Sequence, residues 1–302
     1  MINKDPEIFT FEGSAQGPRF VVFGGVHGNE KCGPQAINRI MDLIRSGDIR
    51  ITGGKVTFVP ICNPLAYEKN VRFVERNLNR FFYPKETIKD YEDNLDLILC
   101  PVAAQADYLL DLHSYTSQGG AFIFLENLDE KNILFANALG VPRIIHGWAD
   151  ALQNNVDVID KKQAMGTTEY AREFGAVAIT LECGTHKHPR AADVGFQSIL
   201  NAMKYLKIAE LEESLNITDL PEERSYQIKM GGSHLKLRAG DFLRDWNNMD
   251  PIKKGEIIAR YEDGSEIIMP EDGFIVLPKR DTAVGHEWFF WGVADDIKSK
   301  AA

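Results

Sequence analysis

The sequence is poor in the features that staple small or secreted folds. It has four cysteines, Cys32, Cys62, Cys100 and Cys183, in 302 residues, and no two form a C-x-x-C pair. Neither a zinc knuckle nor a thioredoxin-type site is therefore indicated, and buried thiols in a reducing compartment are the expectation. No run of about 18 apolar residues occurs, which argues against a membrane-spanning helix. The opening MINKDPEIFTFEG lacks the apolar core of a secretory signal, so a cytoplasmic location is expected. Basic residues are outnumbered, with 34 Lys and Arg against 44 Asp and Glu and a net charge of -10. Such a chain repels phosphate backbones, so neither nucleic acid nor a membrane is an expected partner. A small anionic substrate is still allowed, because a local basic pocket does not need a basic protein. Internal repeats and low-complexity tracts are also missing. What remains is ordinary globular material, 44% hydrophobic and 26% charged, long enough to form a large core without disulfides.

The first two thirds alternate short apolar runs with helical periodicity. Arg19 to Val26, Val56 to Ile61, Asp107 to Leu112 and Ala176 to Leu181 read as buried strands. Ala121 to Leu125 and Arg143 to Ile145 read as shorter ones. Gly33 to Ser46 and Ala191 to Leu206 carry a helical pattern. This order predicts an α/β fold, a mainly parallel mixed sheet flanked by helices, with ligands bound beyond the carboxyl ends of the strands. Around residue 207 the texture changes. Ile208 to Arg224, rich in Glu and carrying Pro221, reads as a linker. Beyond it, short alternating segments broken by Gly231-Gly232, Asp263-Gly264 and Asp272-Gly273 read as a small β domain. The expected division is residues 1–210 and 211–302.

Chemistry-bearing residues gather near the strand ends. In Gly24-Gly25-Val26-His27-Gly28-Asn29-Glu30, the H-x-x-E spacing lets His27 and Glu30 reach one metal ion from one turn, though a capped helix start would look similar. His113, in Asp111-Leu112-His113-Ser114, is a third ligand candidate, the alternative being a core histidine. Two histidines and one carboxylate leave an open position for water, the catalytic form of a zinc site. Asp111 shares a strand face with His113 and could accept the free ring N–H of a ligand. Glu182, in Ile179-Thr180-Leu181-Glu182-Cys183-Gly184, closes an apolar strand, where a carboxylate is either paired or used as a general base. Arg72, Arg76 and Arg80 fall within nine residues among aromatics, suited to an anionic substrate or to surface pairs with Glu75. His186 and His188 follow the Glu182 segment and read as solvated loop histidines, the alternative being that they line the pocket or add a second metal. His286 to Trp291 reads as a packed strand of the β domain.

Taken in order, GGVHGNE, the arginine segment ending NLNRFF, DLHS and LECG resemble the succinylglutamate desuccinylase/aspartoacylase family, which is related to the zinc carboxypeptidases. The resemblance implies a zinc-carboxypeptidase-like fold and one zinc per chain on His27, Glu30 and His113. It implies Glu182 as general base and Arg72 as the group that polarises the scissile carbonyl. Asn79 and Arg80 would grip a substrate carboxylate, with Arg172 a further substrate-side arginine. Many family members have Asp-Leu-Asn-Arg where this chain has Asn77-Leu78-Asn79-Arg80. The implied activity is hydrolysis of the amide bond of a small N-acyl amino acid. A metallocarboxypeptidase or peptide amidase, and a noncatalytic binding protein that retains the site, are the alternatives. A homo-oligomer is left open.

Overall fold

The computed structural model describes residues 4–148, 151, 162–212, 215 and 226–295. Its elements run β1 (Phe9–Glu12), β2 (Ala15–Gly24), α1 (Cys32–Ser46), β3 (Ile49–Ile51), β4 (Gly53–Val59), α2 (Pro64–Lys69), α3 (Tyr91–Ala104), β5 (Tyr108–Tyr115), β6 (Phe122–Phe124), α4 (Glu130–Ala138) and β7 (Arg143–His146). They continue as α5 (Thr167–Glu173), β8 (Val177–Thr185), α6 (Ala191–Tyr205), β9 (Ala209–Leu211), β10 (Tyr226–Leu235), β11 (Gly240–Phe242), β12 (Pro251–Ile252), β13 (Ile257–Tyr261), β14 (Glu266–Ile268), β15 (Gly273–Val276) and β16 (Glu287–Ala294).

Side chains alternate across a strand, and here both faces are apolar. Phe20 and Val22 of β2 enter one core while Val21 and Phe23 enter another. Leu110 and Leu112 of β5, with Ile179 and Leu181 of β8, join the first. A strand buried on both faces must be sandwiched, and helices supply the two covers. α1, α4 and α6 contribute Ile37, Phe135 and Ile199 to the first core. α3 and α5 contribute Leu95, Leu99 and Ala171 to the second.

The described residues form an 11-stranded sheet, ordered β1-β4-β2-β5-β8-β6-β7-β10-β16-β15-β12. From β4 through β8 every pair is parallel. β6 reverses against β8, β7 and β10 run parallel to their neighbours, and β16, β15 and β12 close the sheet antiparallel. The core of the sheet is thus mixed and mainly parallel, as expected, while antiparallel pairs dominate its C-terminal edge. The C-terminal strands extend it, and they also carry a small three-stranded sheet, β11-β13-β14, packed around Trp288, Phe242 and Ile258.

Some expectations shift. The two strands carrying His113 and Glu182 run on past them, to Tyr115 and Thr185, so both residues sit within paired strand rather than just beyond it. Part of the expected linker, Ala209–Leu211, is strand β9, paired antiparallel with β3. Most of the rest of it, with Pro221, lies outside the described residues. The described cysteines are all free and buried. No helix among the described residues is long and apolar enough to cross a membrane.

Candidate active site

The turn after β2 is built for close approach. Gly25 has φ +57°, a left-handed conformation that favours glycine. A Cβ on Gly28 would lie 2.0 Å from the carbonyl carbon of Ala66 in α2, so only glycine lets this turn seat there. The turn brings His27 Nδ1 to 2.9 Å from Glu30 Oε1. From β5, His113 Nδ1 reaches to 2.9 Å from Glu30 Oε2 and 3.2 Å from His27 Nδ1. All three side chains are buried. Ligand atoms at ordinary zinc distances in a tetrahedron are about 3.3 Å apart, so this spacing suits a small divalent ion with little movement. Among the described residues this is the group of His, Cys, Asp and Glu side chains that could hold a metal.

The surroundings favour ligand forms. His27 Nε2 lies 2.9 Å from Asn77 Oδ1, fixing the ring with Nδ1 turned to the cluster. Burial, and then the Arg72 charge, push His27 down to about 4, so it is neutral at physiological pH. Burial disfavours ionised Glu30, but His27 and His113 outweigh it and hold the carboxyl well below its usual range. Burial likewise opposes a charged His113, yet Asp111 and Glu30 on its two sides raise it well above the ordinary histidine value. His113 Nε2 is 2.9 Å from Asp111 Oδ2, and Thr167 Oγ1 donates to that same oxygen.

Glu182 arrives by register. In the parallel β5/β8 pair, His113 is opposite Glu182 and Asp111 opposite Thr180. Leu112 and Leu181 point into the first core, so His113 and Glu182 share the opposite face. Burial, with the nearby Glu30 charge second, pushes the Glu182 carboxyl up to about 8. Its Oε2 is buried and has no hydrogen-bond partner in the protein.

The arginine segment forms no helix or strand; buried acids of α3 hold it. The Glu92 carboxylate accepts from the backbone N–H groups of Val74, Glu75 and Arg76 at 2.7, 3.2 and 3.1 Å, and from Asn63 Nδ2 at 3.0 Å. Arg76 pairs with Asp96 at 2.7 Å and Asp93 at 3.2 Å, which makes it an internal anchor and not the surface pair considered for it. Its neighbours are thereby aimed outward. Arg72 Nη1 lies 3.0 Å from Glu30 Oε1. Arg80 Nη1 donates to Asn79 O at 2.7 Å, and Asn79 Oδ1 accepts from the Thr167 amide at 3.0 Å.

His27, Arg72, Asn79, Arg80, His113, Arg172 and Glu182 all line one pocket, with Glu30 packed behind the histidines. Arg172 Nη2 is 2.7 Å from Glu169 Oε1. His186 and His188 do not line this pocket: His186 Nδ1 is 2.8 Å from Ser114 Oγ, and His188 Nδ1 accepts from the Arg190 amide at 3.2 Å. The C-terminal segment supplies Leu277 and Lys279, from the connection after β15, and Glu287 and Phe290, from β16, to the wall.

Residues 16–206 match the model of the succinylglutamate desuccinylase/aspartoacylase catalytic domain. The chain belongs to that family. Among similar proteins, the succinylglutamate desuccinylase of Vibrio cholerae is 24% identical over 295 residues, covering 92% of this chain and 81% of that one. The aspartoacylase of Xenopus tropicalis is 35% identical over 123 residues, but that match spans 36% of this chain and 38% of the aspartoacylase, less than half of either. The fold is that of the succinylglutamate desuccinylase/aspartoacylase structure from Rhodobacter sphaeroides, with TM-score 0.72, 19% identity, and coverage of 96% and 88% of the two chains. A succinylglutamate desuccinylase structure from Vibrio parahaemolyticus gives TM-score 0.71 at 18% identity, covering 95% and 86%.

Several residues of this candidate site carry no signal in the sequence. Asn77 had shown only as a departure from the family pattern, and its Oδ1 proves to hold the His27 ring. Thr167 and Glu92 carried no motif at all. Glu287 sits in a segment read only as a packed strand of the β domain and Lys279 elsewhere in that domain, and nothing local marks either as a pocket residue.

Proposed function

We propose that this protein is a zinc-dependent amidohydrolase that cleaves the amide bond of a small N-acyl amino acid, with one zinc per chain held by His27, Glu30 and His113. The carrying observation is that Glu182, a buried carboxylate with an unpartnered oxygen, opens onto the same pocket as two imidazoles 3.2 Å apart that share Glu30. We further propose residues 1–210 as the catalytic domain and 211–302 as a linker and small β domain that walls the pocket. That wall favours a small substrate over a polypeptide running through an open groove.

A bound zinc supplies Lewis acidity for the substrate carbonyl and for water. Glu182 takes the proton from the attacking water and returns it to the leaving nitrogen, a role suited to a carboxylate whose basicity is raised by burial. The Arg72 guanidinium, beside Glu30 at the pocket wall, donates to the oxygen that gains charge as the carbonyl is attacked. Asn79 and Arg80 hold the substrate carboxylate and so fix the carbonyl relative to Glu182. Asp111 orients His113, and Asn77 orients His27.

The test is metal content by mass spectrometry together with hydrolysis of N-acetyl and N-succinyl amino acids beside dipeptides. One zinc per chain, lost in His27→Ala, is expected. Glu182→Gln should keep zinc and lose roughly 100-fold or more in kcat. Near-normal turnover in that variant sinks the assignment of the base, and preferential dipeptide cleavage would favour a peptidase.

A further inference from the structure

The proposed carboxylate grip and the two histidines of the metal cluster belong to one chain of polar contacts. Asn77 Oδ1 meets His27 Nε2 at 2.9 Å and also accepts from the Asn79 backbone N–H at 3.0 Å. The Asn79 side chain continues the chain, its Oδ1 accepting from the Thr167 amide at 3.0 Å. The Thr167 hydroxyl then donates to Asp111 Oδ2, which lies 2.9 Å from His113 Nε2. Thr167, the first residue of α5, and Asp111 are both fully buried. Asp111 Oδ1 has no hydrogen-bond partner among the described residues, so the Thr167 hydroxyl is not a spare contact for that carboxylate. The residue before Thr167 is what admits Asn79. A Cβ on Gly166 would lie 2.2 Å from Asn79 Oδ1 and 2.7 Å from Glu169 Oε2. The Gly166 backbone is extended, with φ -103°, which any residue adopts, so the requirement is for the missing side chain and not for the conformation. Both crowded atoms end side chains, so a methyl there displaces them without rebuilding the backbone.

We infer that Gly166 and Thr167 are positioning residues: they fix the Asn79 carboxamide so that its NH2 end meets the substrate carboxylate, and the Thr167 hydroxyl ties that grip to the strand carrying His113. The inference rests on the deacylase reading and adds to it how the grip is set. The Thr167 N–H requires an acceptor, so the carboxamide oxygen faces α5 and the NH2 is the end offered to an anion. Turned the other way, Asn79 would set a carbonyl oxygen against a carboxylate. A methyl at position 166 pushes Asn79 Oδ1 off the Thr167 amide, while the Asn79 backbone N–H stays on Asn77. Substrate positioning is therefore lost before the metal cluster is disturbed.

The experiment measures zinc per chain and kcat/KM of zinc-supplemented protein on N-acetylleucine, N-acetylaspartate, N-acetylglutamate and N-succinylglutamate. Gly166→Ala should keep its zinc and lose at least about fivefold in kcat/KM, chiefly through a higher KM. In an Asn79→Ala background the same substitution should cost at least about threefold less, because the group it displaces is gone. That cycle separates Asn79 from Glu169, which the same methyl crowds. A smaller loss in folded Gly166→Ala, loss of its zinc, or an equal loss with and without Asn79 overturns the inference. Thr167→Val, which replaces the hydroxyl by a methyl at nearly constant volume, should fall at least about fivefold below Thr167→Ser, which keeps the hydroxyl. If Gly166→Ala does not fold, this pair decides, and a smaller gap overturns the inference. If the wild type hydrolyses none of the four compounds, the deacylase reading fails, and the Gly166 and Asn79 cycle read as calorimetric Kd decides the inference separately. Coupling of about threefold or more then supports it; no coupling, or no binding, overturns it.

Discussion

Glu92→Gln should be among the most damaging conservative substitutions in this protein, although Glu92 touches neither the proposed metal ligands nor the pocket. The carboxylate is fully buried and accepts four hydrogen bonds. One oxygen receives Val74 N and Asn63 Nδ2; the other receives Glu75 N and Arg76 N. In glutamine one of those oxygens becomes an NH2 donor. Whichever way the amide turns, two donors then face a donor with no water to replace the lost acceptor. A buried polar group left unsatisfied costs about 1–3 kcal/mol, so two give roughly 2–6 kcal/mol. At about 2–4 °C per kcal/mol for a chain somewhat smaller than this one, melting should fall by roughly 5–20 °C. The assay is thermal and urea unfolding of wild type and variant, with zinc content and kcat/KM measured on the folded fraction. Zinc should stay bound, because His27, Glu30 and His113 come from other segments, while kcat/KM falls as Arg72 and Arg80 lose their anchor. A stability change within about 0.5 kcal/mol, typical of a surface substitution, would refute the view that these buried acids organise the arginine segment.

Two further outcomes follow from the geometry. Asn77→Asp places a negative charge on the atom that meets His27 Nε2 at 2.9 Å, which strengthens the ring as a donor. Zinc affinity in competition with a chelator should rise by about tenfold, and an unchanged affinity would show that His27 does not bind through Nδ1. In chelator-treated protein, Glu182 holds its proton up to about pH 8, whereas an unfolded glutamate releases it near its ordinary value. Between those limits the folded state binds more protons than the unfolded state, so stability falls as pH rises through that window. Glu182→Gln removes this slope: the variant should gain stability relative to wild type between pH 5 and pH 8, as read by urea midpoints at each pH. A difference that is flat with pH would mean that the Glu182 carboxyl is solvated or paired.

What the sequence determined by itself was local. The H-x-x-E spacing places His27 and Glu30 on one turn, and a two-residue step places Asp111 and His113 on one strand face, because backbone geometry fixes both within a few residues. The apolar runs of β2, β5 and β8 announced strands buried on both faces. The order of motifs then carried the family. α3 went unread because its inward face holds Glu92, Asp93 and Asp96 as well as Leu95 and Leu99, so its apolar period is broken by acids that are buried for a purpose. Only the tertiary structure decided the rest. The β5/β8 register sets Glu182 beside His113, the acids of α3 bend a segment without periodicity so that Arg76 faces inward and Arg72 and Arg80 outward, and β16 carries Glu287 to Arg80. Each of these pairs residues far apart in the chain, and sheet register and loop packing are settled by the whole core at once, which no local pattern encodes.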